Sequence, residues 1–395
     1  MFEHVALRRA EGGDPISVGE VVEALLYYQR VHVVVDRGTL FAWLRQIGPD
    51  QLLSILQRAD FSAVYCEEML GARTESVGPL QVHNLIAFTL AGHEGIGKLK
   101  NPEDRLVYEL ERLPMAKAVA QRFAKQFLRR VPIRKFSGEH YVSAGIPELA
   151  KRNLMDDTFI REAVRKLVAL SPGGYELGST FKFDVVSTDL GLYVFHDIDL
   201  AAINARRAAL SPSVEALTVA HLLSQVQDAS ADLALASFYG GDFVTSHTTS
   251  AVIKVRHESL LRRTELNADA RQQFVEIVLP DSPSLAEVVN SGERSLKEAL
   301  TLVDQAARFK YWLKSANPDE GLVRTYMRDI SSEGWVQRLP AKSLRYVLTL
   351  ALDATNPAAG LLAGFADNFI IEKLLAGWRP NHFVKSRLQP FVNGS

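Results

Sequence analysis

Ser17-Val-Gly-Glu-Val-Val-Glu-Ala-Leu-Leu-Tyr-Tyr28, followed closely by Val31-His-Val-Val-Val35-Asp36, decides how the amino-terminal part of this chain folds. In the first stretch Val18, Val21, Val22, Leu25 and Leu26 recur at helical spacing, and Ser17 stands where an N-cap hydroxyl is wanted. The second stretch is β-branched except for His32, a composition that suits a strand better than a helix. Working outward, two amphipathic segments over 39–47 and 49–58 are separated by Gly48-Pro49, and 62–66 reads as a second strand that can pair in parallel with the first. A third strand is expected over 80–90, running into a glycine-rich stretch, and two helices over 101–130 with a break at Pro114.

Beyond residue 142 the pattern changes. A helix is expected over 157–170, and Phe181, Phe183 and Val185, then Leu192, Val194 and Phe195, flank Asp189-Leu-Gly191 as the arms of an antiparallel hairpin. After Ser211 nearly every apolar pattern has period 3.6, and that hairpin reads as the last β structure. The expected fold is therefore α+β and predominantly helical. A small mixed α/β domain at 1–141 ends in a basic amphipathic helix, and a mostly helical domain at 142–395 carries one hairpin near 180–198.

Composition bounds the function. With 47% hydrophobic and 23% charged residues, the chain has ample material for a packed core. Lys plus Arg (45) and Asp plus Glu (46) nearly cancel, which removes the global positive field of a dedicated nucleic-acid binder. The single cysteine, Cys66, cannot form an intramolecular disulfide, and this points to a reducing, cytoplasmic setting. The apolar segment 346–378 is interrupted by Asp353, Pro357, Asp367, Glu372 and Lys373, so a buried helical hairpin is expected there and not a constitutive membrane span.

Several constellations bear on chemistry. Gly92-His-Glu-Gly-Ile-Gly-Lys98 has the spacing of a phosphate-binding loop, but Leu99 stands where a magnesium-binding hydroxyl is required, which leaves a plain glycine turn as the reading. Asp36 follows the first expected strand, Glu67 and Glu68 follow the second, and Asp156 and Asp157 open a helix. Acids at strand ends can converge on magnesium or manganese for phosphodiester hydrolysis. This arrangement resembles the PIN-domain nucleases, in which the first aspartate ends the first strand as Asp36 does, with Glu67 or Glu68 in the place of the next acid. The resemblance implies a metal-dependent nuclease, while Asp156 and Asp157 lie too far along the chain for a compact domain of that family. His196-Asp197 with Asp199 is similar to the paired His-Asp of metal phosphohydrolases, and reads equally as a strand end followed by a helix cap. His32, His83 and His93 are the candidates to approach Cys66, though a strand-borne cysteine is more often inert and buried.

Lys117, Arg122, Lys125, Arg129, Arg130, Arg134 and Lys135 form a run without an acid between Met115 and Lys135, interleaved with Val119, Phe123, Phe127 and Leu128. Such a helix has one apolar and one basic face, and the basic face suits nucleic-acid phosphate, an anionic membrane or an acidic partner. Trp312, Trp335 and Trp378 belong to aromatic stripes that normally form core and can also anchor an assembly interface.

Every catalytic motif fails at a required position, so the leading expectation is a non-enzymatic interaction or assembly module, homo-oligomeric or bound to a protein partner and without a cofactor. The alternative is a magnesium- or manganese-dependent nuclease or phosphohydrolase using Asp36, Glu67, Glu68, Asp156 and Asp157. A third reading has 346–378, with its small residues Ala358, Ala359, Gly360, Ala363 and Gly364, insert into a membrane after a trigger. A place in bacterial defence or stress response suits all three.

Overall fold

The computed structural model describes residues 2–9, 13–89, 99–210, 215–244, 247–280, 282–316, 322, 325–326 and 378–394, with the backbone alone at 247–248 and 256–266. The glycine-rich stretch 92–98, Trp335, and the expected hairpin up to residue 377 lie outside the described residues.

The chain begins with β1 (His4–Arg8), α1 (Val18–Tyr27), β2 (Arg30–Val35), α2 (Arg37–Ile55) and β3 (Phe61–Tyr65). Ser17 and Glu20 close a reciprocal capping box at the start of α1, and Asp36 caps α2 by accepting the Thr39 N–H. The break expected at Gly48-Pro49 is a kink inside α2, where Gly48 takes φ 73°. The long hairpin of β4 (Glu68–Val77) and β5 (Leu80–Thr89) follows, then α3 (Pro102–Leu110), α4 (Lys117–Arg130), α5 (Gly145–Leu154) and α6 (Asp157–Leu170). Next come β6 (Phe183–Thr188), β7 (Gly191–His196), α7 (Leu200–Leu210), α8 (Val219–Tyr239), β8 (Asp242–Phe243), α9 (His247–Val278), α10 (Leu285–Asn290), α11 (Leu296–Gln305) and α12 (Ala307–Ser315). At the carboxyl end α13 (Pro380–Phe383) passes through a π-turn (Val384–Leu388) into α14 (Gln389–Asn393).

Two four-stranded sheets result. One is parallel, in the order β3-β2-β1-β8; the other is antiparallel, in the order β4-β5-β7-β6. This corrects the expected α+β fold: the chain is mixed α/β with many helices. The first element is the strand β1 and not α1, and β8 adds to the parallel sheet long after the β6–β7 hairpin that was expected to be the last β structure. The physical reason is non-local pairing. β8 is two residues long and is a strand only because Val5 and Ala6 lie beside Asp242 and Phe243.

One hydrophobic cluster gathers side chains from 2–131 and from 270–392, with Trp43, Phe123, Phe127, Phe274 and Phe309 fully buried in it. A second fills the space between β6, β7, α6 and α8, and a third lies between the two sheets around Cys66, Leu70, Phe136 and Tyr141. No described helix is long and apolar enough to cross a membrane.

Candidate functional site

In an open α/β sheet, loops at the carboxyl ends of the parallel strands cannot pair with one another, and the crevice they leave is where ligands bind. Here those ends carry Arg8 as the last residue of β1 and Arg9 after it, Asp36 after β2, and Cys66, Glu67 and Glu68 after β3. The chain returns to this edge after α4: the Tyr65 N–H donates to Pro132 O at 3.0 Å and the Arg134 N–H donates to Tyr65 O at 2.9 Å. Ile133 thereby lies parallel to Tyr65 and brings Arg134 and Lys135 to the rim. The result is a cleft of about 570 Å³ lined by Arg9, Arg37, Arg105, Arg134 and Lys135 and by Asp36, Glu67, Glu68 and Glu109.

The carboxylates are engaged. Asp36 accepts the Thr39 N–H at 2.7 Å and Arg9 Nη1 at 3.2 Å. Glu67 holds Arg105 in a two-point pair, Nε to Oε1 at 3.0 Å and Nη2 to Oε2 at 2.8 Å. Glu68 accepts the Ser137 N–H at 2.9 Å and the Ser137 hydroxyl at 2.6 Å. Glu109 is buried beside Arg37 and Arg112. By contrast, Arg134 donates to His140 Nε2 and to the Ile133 carbonyl, and neither Arg134 nor Lys135 has an acidic partner among the described residues.

A small inner chamber of about 40 Å³ continues the cleft inward between Arg8, Arg9, Asp36, Cys66, Glu68 and Asp228. Burial pushes the Cys66 thiol up to about 12, with the nearby Glu68 carboxylate adding to the effect, so the sulfur is a neutral thiol at physiological pH. His32 and His83 make their bonds elsewhere, His32 to Ser62 and His83 to Thr74. Tyr65 is likewise raised, first by burial and then by Glu67, Glu109 and Asp36.

Of the acids singled out in the sequence, Asp36, Glu67 and Glu68 share this cleft, whereas Asp156 and Asp157 line a separate groove with Arg161, Glu162 and Arg165. Asp156 caps α6 through the Phe159 N–H, and Asp157 faces Arg161 at 3.8 Å. Asp197 accepts the Lys182 N–H and Asp199 accepts the Ala202 N–H at the start of α7, both structural roles. Among the described residues no three His, Cys, Asp or Glu side chains converge closely enough to hold a metal ion. Comparison with family models, with curated proteins and with solved structures finds no match for this chain.

The remaining candidates divide by burial. Phe123 and Phe127 of α4 are buried, and Lys117, Arg122, Lys125, Arg129 and Arg130 are exposed. Trp312 is 3% exposed, stacked on Phe309 and packed against Phe274 and Tyr326, and Trp378 is half-buried against the same cluster. Sequence reading missed Arg8, Arg9, Arg37 and Arg105. The available signal was Arg8-Arg9 at the end of a short apolar run, the position of a strand end facing a crevice.

Proposed function

We propose that the protein is a recognition module without catalysis of its own and that the cleft at the carboxyl ends of β1, β2 and β3 receives a small anionic ligand carrying phosphate. The observation that supports this reading is the pair Arg134 and Lys135, which face a cleft whose other cations are matched to carboxylates. A guanidinium beside an ammonium suits a phosphoryl group, which accepts from several donors at once. The metal-dependent hydrolase reading is less well supported. Asp36, Glu67 and Glu68 do line one cleft, but binding a cation there would require breaking the Arg9 and Arg105 pairs and the Ser137 bonds.

The test is thermal unfolding of the full chain with inorganic phosphate, sugar phosphates and mononucleotides. A ligand at 100 times its Kd stabilises by about 2.7 kcal/mol. The expected outcome is a rise in Tm with one phosphorylated class that Arg134→Gln/Lys135→Gln removes. No rise with any of them, or a rise the double variant keeps, overturns the reading. Magnesium-dependent cleavage of RNA or DNA that Asp36→Asn abolishes would establish the hydrolase instead.

A further inference from the structure

On the outer surface, α4 and the segment after it segregate charge. Some exposed cations elsewhere pair with neighbouring acids, as Arg73 does with Glu75, Arg161 with Asp157 and Lys166 with Glu162, and those that do not among the described residues, such as Arg45, Lys182 and Arg308, are spread along the chain. Between Met115 and Lys135 there is no acid at all. Lys117 reaches Glu111 of the preceding turn at 3.7 Å, but Arg122, Lys125, Arg129, Arg130, Arg134 and Lys135 have no acidic partner among the described residues. At 3.6 residues per turn, Arg122, Lys125 and Arg129 project from the face opposite buried Ala120, Phe123, Ala124 and Phe127. Arg129 and Arg130 also complement the negative end of the helix dipole, a structural role that does not extend to Arg122, Lys125 or Lys135.

We propose that α4 and the segment to Lys135 form a track for the sugar–phosphate backbone of a single-stranded nucleic acid, leading to the mouth of the cleft. Three observations select this occupant. First, an interfacial membrane helix needs an apolar face to sink between lipids, and the apolar face of α4 is spent in the core. Second, Glu103, Asp104 and Glu111 of the α3 side flank one edge of α4, opposite Arg122 and Lys125 across a shallow groove. Those acids repel phosphate as they repel carboxylate, which confines any polyanion to the strip of Arg122, Lys125 and Arg129, one helix face wide, and that width suits an extended single strand better than a broad acidic protein surface. Third, the ridge from Lys117 to Arg129 is roughly 18 Å long at 1.5 Å per residue, and it continues along an extended segment to Arg134 and Lys135 on the cleft rim. A duplex is too wide to follow a one-helix ridge into that cleft. The near-zero net charge of the whole chain makes this a local, salt-sensitive contact.

The test is fluorescence anisotropy of the full chain with labelled dT15 and U15 at 50 and 200 mM KCl, with a poly-glutamate peptide and phosphatidylserine vesicles as competitors. Binding is expected at low salt. It should weaken with a log–log salt slope of about −3 to −4, as roughly five phosphate contacts on a single strand give. Arg122→Gln/Lys125→Gln/Arg129→Gln changes only exposed side chains, and is expected to keep the wild-type Tm while losing about tenfold or more in affinity. Poly-glutamate and vesicles should compete weakly. No binding at 50 mM salt, an affinity the triple variant leaves unchanged, or stronger binding of either competitor would overturn the proposal. The triple variant lies outside the cleft and so leaves any small-ligand Tm shift intact, which separates failure of the track from failure of the cleft.

Discussion

Arg8, the last residue of β1, donates from Nε to Asp232 of α8 at 2.8 Å and faces Asp228 through Nη1, also at 2.8 Å, with all three side chains buried. Burial alone would make the guanidinium easier to deprotonate; the two carboxylates outweigh it and hold the proton more tightly than usual. This ties the parallel sheet to the helix that also covers the β4–β5 hairpin, so the walls of the cleft depend on it.

Arg8→Met should therefore be among the most damaging single changes. It leaves two buried carboxylates without their cation, at a cost of about 3–5 kcal/mol. Replacing the whole cluster, Arg8→Met/Asp228→Leu/Asp232→Leu, should recover most of that loss, because the penalty comes from unmatched charge and not from missing contact. Calorimetry of both variants checks this. A mild Arg8→Met, or a triple variant as unstable as the single, would count against the buried cluster as the tie.

His32 predicts an acid-side loss of stability. It stacks on Tyr239 with ring centroids 3.5 Å apart and shares a 2.8 Å hydrogen bond with Ser62. Burial, with a smaller contribution from His140, lowers its pKa from 6.5 to about 4. The unfolded chain thus binds the proton more readily than the folded one. The contribution of His32 is complete above pH 6.5 and is lost as the pH falls from 6.5 toward 4, a change on the order of 3 kcal/mol. Urea titrations across that window should show stability falling for the wild type and a shallower dependence for His32→Phe. Parallel pH profiles would contradict the assignment.

Gly19 marks where the amino-terminal and carboxyl-terminal parts of the chain meet. A Cβ there would sit 2.3 Å from the Ala286 carbonyl oxygen of α10, and the Gly19 N–H already donates to Asn290 Oδ1 at 2.9 Å. Gly19→Ala must push α10 from α1, an overpacking cost of about 1–3 kcal/mol. Gly48→Ala meets nothing within 4 Å and bears only the strain of φ +73°, about 1 kcal/mol. Urea midpoints of the two variants are expected in that order, and a reversed order would mean that α10 yields freely.

These contacts also explain what could be read from the sequence. The strand β2 was legible because four of its six residues are valine, β3 because Phe61, Val64 and Tyr65 give a short run of strand-favouring side chains, and Asp36, Glu67 and Glu68 were legible as acids following those strands. Their partners were not, since Arg105 lies 38 residues from Glu67 and Ser137 lies 69 from Glu68. Asp156 shows why spacing alone misleads: an acid before an apolar run looks the same whether it caps a helix or lines a site, and here it caps α6. β1 has one β-branched residue in five, β4 turns exposed halfway along, and β8 is two residues long. Each becomes a strand through its neighbours and not through local preference.

Cys66 gives a last prediction that reads the cleft floor directly. The thiol is 1% exposed, donates weakly to the Glu68 carbonyl at 3.5 Å, and carries a pKa pushed up to about 12 by burial. Reagents that react with thiolate meet almost none at pH 8. Native protein should consume well under one equivalent of a disulfide reagent on the timescale in which the urea-unfolded chain consumes one. Because Cys66 lines both the cleft and its inner chamber, local opening of that floor should limit the native rate. A phosphorylated ligand that stabilises the cleft should slow the reaction further, with Arg134→Gln/Lys135→Gln abolishing the protection. Immediate, stoichiometric reaction of the native chain would show that the thiol is not enclosed between the two sheets.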